Sequence, residues 1–349
     1  MRQLLQNHPY WSYYGIAVGI FASLIAYMVT LEVIGQATQG SEYSLLGQFR
    51  DLQEQMRDKY PILFHHKDSW VYYVACYAVM PMAAPFFFLP GAPTVAALLV
   101  TGLNRGKQAV RALLSLYKPI QGSLSVAEGV RIYATILAGI TAMLALVCLR
   151  EYLFGDPARI GHFLRYLGVI DVPTFLGAWT MALFFNQGAA LEELGWRGYA
   201  LPMLIRKIGS PLNATILLGV CWALWHFPRE LPELAMGNQS IGDLLVSQGW
   251  FILSCVSMSI VATYFVNRTG GSVLPAIMIH GSLNHIGGMF TTDLEGLRVV
   301  ITGEGPIMWF CAALVILAVA GKDLGWKRRL ALHEGNDPSD AWVSKPAKL

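Results

Sequence analysis

The sequence predicts an all-α fold, a polytopic membrane helical bundle with about eight transmembrane helices. Of its 349 residues 55% are hydrophobic and only 13% charged, where soluble domains carry about a quarter charged. Mean hydropathy is +0.47. Apolar segments of roughly 20 residues, the length that crosses a hydrocarbon core, begin near Tyr13, Trp70, Ile132, Pro173, Pro211, Leu245, Ser272 and Pro306.

The apolar run after the polar and aromatic Met1–Ser12 is long enough to span a bilayer, so it is expected to stay as the first helix and not to be cleaved as a signal. Between Tyr43 and Tyr60, Leu45, Phe49, Leu52 and Met56 recur at helical spacing, with Arg50, Asp51 and Glu54 off that face. This predicts an amphipathic helix that lies on the membrane or covers the bundle. Trp70–Leu103 is too long for one straight crossing and contains Pro81, Pro85, Pro90 and Pro93, so a kinked or broken helix is expected. Asn104–Lys118 returns to basic, loop-like chemistry. Three regions follow: 1–69, the first helix and the amphipathic connection; 70–335, the main bundle; and 336–349, a polar and loose tail.

A formal charge of +3, dispersed along the chain, points away from nucleic acid as a partner and toward orientation in a lipid bilayer. Most of the Lys and Arg fall on one side of the alternating loops if both termini are cytoplasmic. That places the chain as a multi-pass protein of the cell membrane, the inner one in a bacterium. Cys76, Cys148, Cys221, Cys255 and Cys311 all lie in apolar runs without metal-ligand spacing, and are expected to be small buried hydrophobes.

The stretch Ala190–Gly198 interrupts the fourth apolar run with Glu192, Glu193 and Arg197. An ionisable group at the centre of a membrane helix costs about 3 kcal/mol on insertion scales, so it faces a bundle interior or a wet cavity. Glu193 and Arg197 are four apart and can pair on one helix face, while Glu192 is rotated about 100° away and is left free. Trp222 and His226 are four apart in the fifth segment, and His280 and Asn284 four apart in the seventh. His285 points away from Asn284. At about 1.5 Å rise per residue, Glu192, His226, His280 and Asn284 fall within one layer, provided the fourth helix is long and kinked near Pro202.

A carboxylate, two imidazoles and an amide in a low-dielectric pocket suit water activation beside a carbonyl. Glu192 serves as general base, His226 holds the water, and His280 and Asn284 donate to the developing oxyanion. No cofactor is expected on that reading. The alternative is a divalent metal, zinc, held by Glu192, His226 and His280 with an open position. Two readings from other classes also stand: a non-catalytic immunity or scaffold protein, in which the polar cluster only fixes packing, and a transporter using Glu192 and the histidines as a proton relay.

At these residues the chain resembles the CAAX protease and bacteriocin-processing family, the abortive-infection or type II CAAX prenyl endopeptidase-like intramembrane proteases. Glu192-Glu193 with Arg197, Trp222 with His226, and His280 with Asn284 stand where that family has its three motifs, and Asn267–Ala276 is similar to its approach to the third. The resemblance runs from about Trp70 to Phe290. It implies an intramembrane endopeptidase with Glu192 as base, His226, His280 and Asn284 completing the site, and a membrane-associated protein or peptide as substrate. Trp222 departs from the family's more usual Phe, keeping an aromatic wall but narrowing the pocket.

Overall fold

The computed structural model describes residues 7–59, 70–83, 85, 88–154, 180, 183–235, 237, 239–290 and 304–343. Its regular elements are all helices. Helix α1 spans Pro9–Gln39 and starts on a proline, whose missing N–H has no intrahelical partner to lose in the first turn. Helix α2 spans Leu45–Lys59, α3 Trp70–Val79, α4 Ala92–Leu114 and α5 Val126–Phe154. A long irregular helix follows: α6 (Gln187–Glu193), a π-helical stretch (Leu194–Ala200) and α7 (Leu201–Ile208). Then come α8 (Pro211–Trp225), α9 (Ile241–Arg268), α10 (Leu274–Phe290), α11 (Glu304–Ala320) and α12 (Trp326–Leu332).

Among the described residues, four helices are long and apolar enough to cross a membrane: Pro9–Gln39, Val126–Met143, Ile241–Arg268 and Gly305–Asp323. They correspond to the first, third, sixth and eighth expected spans. Helices α3, α8 and α10, at 10, 15 and 17 residues, are shorter than those crossings. The expected start of the fourth span at Pro173 lies outside the described residues.

The amphipathic helix forms as α2, and its apolar face is covered by protein. Leu45 and Phe49 are buried, and Phe49, Leu52 and Met56 pack with Cys76 of α3 and with Met80. The Leu45 N–H donates to Glu32 Oε2 of α1 at 2.7 Å, so α1 supplies a capping acceptor. The proline-rich second segment is broken as expected, into α3, a short turn at Pro81–Ala83 and α4.

Two expectations are corrected. Asn104–Lys118 is not a loop: α4 continues to Leu114 across a break at Gly106 (φ 77°, ψ −172°), because its buried Ala109 and Leu113 give that basic stretch an apolar face to pack. The tail is not loose as far as Val343. Asp337, Ser339, Trp342 and Val343 are buried, Asp337 pairs with the buried Arg329, and Asp340 pairs with Arg206 at the end of α7. Among the cysteines, Cys76, Cys221 and Cys255 are buried, but Cys311 is exposed on α11. A thiol on a helix that crosses lipid can face outward without losing an apolar environment.

Behind the site lies one apolar core. Tyr10, Tyr13, Ala17 and Phe21 of α1 pack in it with Trp196, Trp222 and Trp225. Close helix approach depends on small residues, as is usual in membranes. A Cβ on Gly195 would lie 2.5 Å from the Pro93 carbonyl carbon, and one on Gly219 would lie 2.6 Å from Val256 Cα. These glycines set α4 against the π stretch and α8 against α9.

The kink expected at Pro202 takes the form of that π stretch. Pro202 has no N–H to give Gly198, and its ring would press on that carbonyl in a regular α-helix. The turn before it is instead wound wider, with the Leu201 N–H donating to Trp196 O five residues back.

Candidate active site

Asn186 starts the central helix. Its backbone is non-helical, and its Oδ1 accepts the Ala189 N–H at 3.0 Å, satisfying one of the first-turn donors. One and a half turns later the helix delivers Glu192 and Glu193 into the bundle, both buried. The rotation between adjacent residues gives the two carboxylates different neighbours.

Glu193 is fully buried, and its Oε1 accepts from Arg197 Nη1 at 2.8 Å, the pairing that the four-residue spacing predicts. The same oxygen meets His280 Nδ1 at 2.8 Å. Arg197, also fully buried, donates from Nη2 to Ser259 Oγ of α9 at 2.8 Å, and its guanidinium lies 4.5 Å from the centre of the Trp222 ring. Three helices are tied together through this one cation.

Glu192 makes none of these contacts. Its Oε2 accepts the Trp222 indole N–H at 2.7 Å. Trp222 is therefore more than an aromatic wall, because its N–H is a donor that Phe lacks and it orients the carboxylate. The indole also sits edge-on to His280, with ring centres 5.0 Å apart, and to His226 at 6.0 Å.

His226 caps the end of α8, and its Nδ1 lies 3.0 Å from Trp222 O. A carbonyl only accepts, so Nδ1 carries the proton and Nε2 of the neutral ring is an acceptor. Trp225 and Phe251 hold the ring edge-on at 4.6 and 5.1 Å. For His280 the carboxylate partner likewise places a proton on Nδ1, leaving Nε2 as the nitrogen not used by Glu193.

Asn284 donates from Nδ2 to Asn186 Oδ1 at 2.9 Å. Gly188 lies between the two halves of the site. A Cβ there would be 3.2 Å from Asn284 Nδ2 and 3.5 Å from Glu192 Oε1. The space above its bare Cα is thus shared by the carboxylate and the amide.

Of the seven residues singled out from sequence, six are joined by direct contacts, and Asn284 stands across Gly188 from Glu192. The side chain of His285 lies outside the described residues. Asn186, Gly188 and Ser259 were missed. Asn186 carried a readable signal, an Asn placed to cap a helix just ahead of the Glu pair. Ser259 and Gly188 carried none, since their roles depend on what another helix brings against them. Among the described residues no group of three or more His, Cys, Asp or Glu is spaced to hold a metal ion.

Helices long and apolar enough to cross a bilayer, wrapped around a buried acid, amide and imidazole cluster, define an integral membrane protein with a candidate hydrolytic site. Comparison with known proteins narrows the class. Residues 173–286 match the family described as Type II CAAX prenyl endopeptidase Rce1-like. That segment holds all three motifs, and the resemblance read from them is borne out there. A curated relative, CAAX prenyl protease 2 of Methanococcus maripaludis, is 33% identical over 133 residues, covering 37% of this chain and 46% of the relative. The chain thus spans about half the length of the curated relative it matches.

Proposed function

We propose that this chain is an intramembrane endopeptidase that hydrolyses a peptide bond of a membrane-associated substrate with a water activated by Glu192. The observation that carries this reading is the division of the Glu pair. Glu193 holds both Arg197 and His280 through Oε1, with its other oxygen shut inside the bundle, whereas Glu192 is held through one oxygen by Trp222 and turns the other toward the space over Gly188.

In the proposed reaction Glu192 Oε1 takes a proton from water as the water oxygen attacks the scissile carbonyl. His226 Nε2, an acceptor in the neutral ring, holds the second water hydrogen. Negative charge that develops on the carbonyl oxygen is met by Asn284 Nδ2, through the proton not given to Asn186. His280 also donates from Nε2 when doubly protonated, with Glu193 beneath it as counter-charge. The C–N bond then breaks as Glu192 returns its proton to the leaving amine. No nucleophilic Ser or Cys is needed, and a buried cluster excludes competing bulk water. Prenylated C-terminal tails are one substrate class, and both termini are taken to be cytoplasmic.

The test is cleavage of a panel of prenylated and unprenylated C-terminal peptides by purified protein in detergent or lipid, with and without chelator. Glu192→Gln should abolish cleavage and leave the melting temperature nearly unchanged, and chelator should have no effect. A Glu192→Gln protein that still cleaves removes the proposed base. Loss of wild-type activity in chelator, restored by zinc, would replace the mechanism with a metal-assisted one.

A further inference from the structure

We propose that Asn186 is a positioning residue that fixes which end of the Asn284 amide faces the reacting carbonyl. The inference rests on the proposed hydrolytic role of Asn284 and goes beyond it. An asparagine amide is nearly symmetric in shape but opposite in chemistry, with an oxygen that accepts and a nitrogen that donates. An oxyanion is stabilised only by the nitrogen, and a flipped amide would set its oxygen against the developing charge. Something must choose.

The choice can be traced to a backbone group. The Ala189 N–H can only donate, so the atom of Asn186 that meets it at 3.0 Å is the oxygen. That same oxygen meets Asn284 at 2.9 Å, so Asn284 must present its nitrogen there. One N–H of Asn284 is thereby used, and the other is left on the same nitrogen for the substrate. Asn186 is buried, with 2% of its surface exposed, so water does not replace it as the acceptor. The start of α6 thus sets the polarity of a side chain on α10, ninety-eight residues away.

Asn186→Leu removes the acceptor at similar size, and Asn186→Asp keeps it. With the best-cleaved peptide, Asn186→Leu should lower kcat about 10- to 100-fold, the cost of misplacing a reacting group, with little change in KM. Asn186→Asp should recover most of the rate. In an Asn284→Ala background, Asn186→Leu should cause no further loss of rate, because nothing is left to orient. A merely structural cap would lower the rate by the same factor in both backgrounds, and that result overturns the proposal.

A second readout does not need turnover. In protein labelled with 15N-asparagine, the side-chain amide signal that disappears in Asn284→Ala should shift in Asn186→Leu and stay close to its wild-type position in Asn186→Asp. An unmoved signal in Asn186→Leu also overturns the proposal. If Asn284→Ala cleaves at the full rate, the hydrolytic reading of Asn284 fails, and the positioning role falls with it. The amide signal then reports separately whether the Asn186 contact exists.

Discussion

Replacing Gly188 by Ala separates folding from catalysis in this site. The new methyl carbon would lie 3.2 Å from Asn284 Nδ2, 3.5 Å from Asn186 Oδ1 and 3.5 Å from Glu192 Oε1. None of these is a hard clash, and a shift of a few tenths of an ångström by the Asn284 side chain relieves the closest. Alanine is favoured over glycine within a helix by up to about 1 kcal/mol, so the melting temperature should hold or rise. Activity should fall nonetheless. A water activated by Glu192 sits about 2.8 Å from the carboxylate oxygen, and a methyl that keeps ordinary contact at about 3.5–4 Å takes up part of that space. Displacing the water or the carbonyl by about 1 Å is enough to lower kcat roughly 100-fold. The assay is peptide cleavage alongside thermal melting in the same detergent. If the variant is as stable as the wild type and cleaves within twofold of its rate, the reacting atoms do not lie over Gly188, and the placement of the site is wrong.

Trp222→Phe keeps the ring but removes the hydrogen bond to Glu192, which as a bond to a charged group contributes about 1.5–3 kcal/mol. The expected result is a roughly tenfold or larger fall in kcat with KM nearly unchanged, checked by steady-state kinetics; an unchanged kcat would show that Glu192 needs no such orientation. The docked tail gives a pH dependence outside the membrane. Burial alone would raise the Asp337 carboxyl, but the charge and hydrogen bonds of Arg329, together with Ser339, outweigh it and hold the group well below the usual carboxylate range. Its folded pKa is depressed, so the stability it contributes is present above about pH 4, its unfolded value, and is lost as pH falls toward the folded pKa. Melting curves should show wild type above Asp337→Asn at pH 7 and the gap closing below pH 4, whereas a gap independent of pH would mean that the aspartate charge is not what docks the tail.

The chemistry of this site was legible in the sequence because it obeys helical spacing. Glu193 with Arg197 is a contact within one helix, and four-residue spacing is enough to predict it. The spacing of Trp222 and His226 likewise put both rings at one end of α8. What could not be read were contacts between helices: the indole on Glu192, His280 on Glu193, and Ser259 on Arg197. Each depends on rotation and depth, which spacing leaves open. The number of crossings was less legible, since the second segment breaks ahead of Pro81 and α8 ends at His226 before it reaches full membrane length. The tail misled for a different reason. Its composition is polar, but Arg329 and Asp337 neutralise each other and allow Ser339, Trp342 and Val343 to bury.

Two adjacent carboxylates of the same chemistry should therefore fail in opposite ways. Glu193→Gln leaves Arg197 buried with a hydroxyl from Ser259 and the face of Trp222, and leaves His280 facing a neutral amide. The remaining cation–π contact is worth about 2 kcal/mol when desolvated, less than the 3–5 kcal/mol cost of removing one partner from a buried pair. The variant should unfold at a clearly lower temperature, and its residual activity should follow the folded fraction and the loss of His280 orientation. Glu192→Gln keeps an oxygen to accept from the Trp222 indole and removes a buried charge that, among the described residues, is not in a salt bridge, so its folding should be almost untouched while turnover stops. Melting temperature and rate measured on the two proteins decide the matter. If Glu193→Gln melts with the wild type and Glu192→Gln collapses, the roles of the pair are reversed, and the water must be sought on the Arg197 side of the helix.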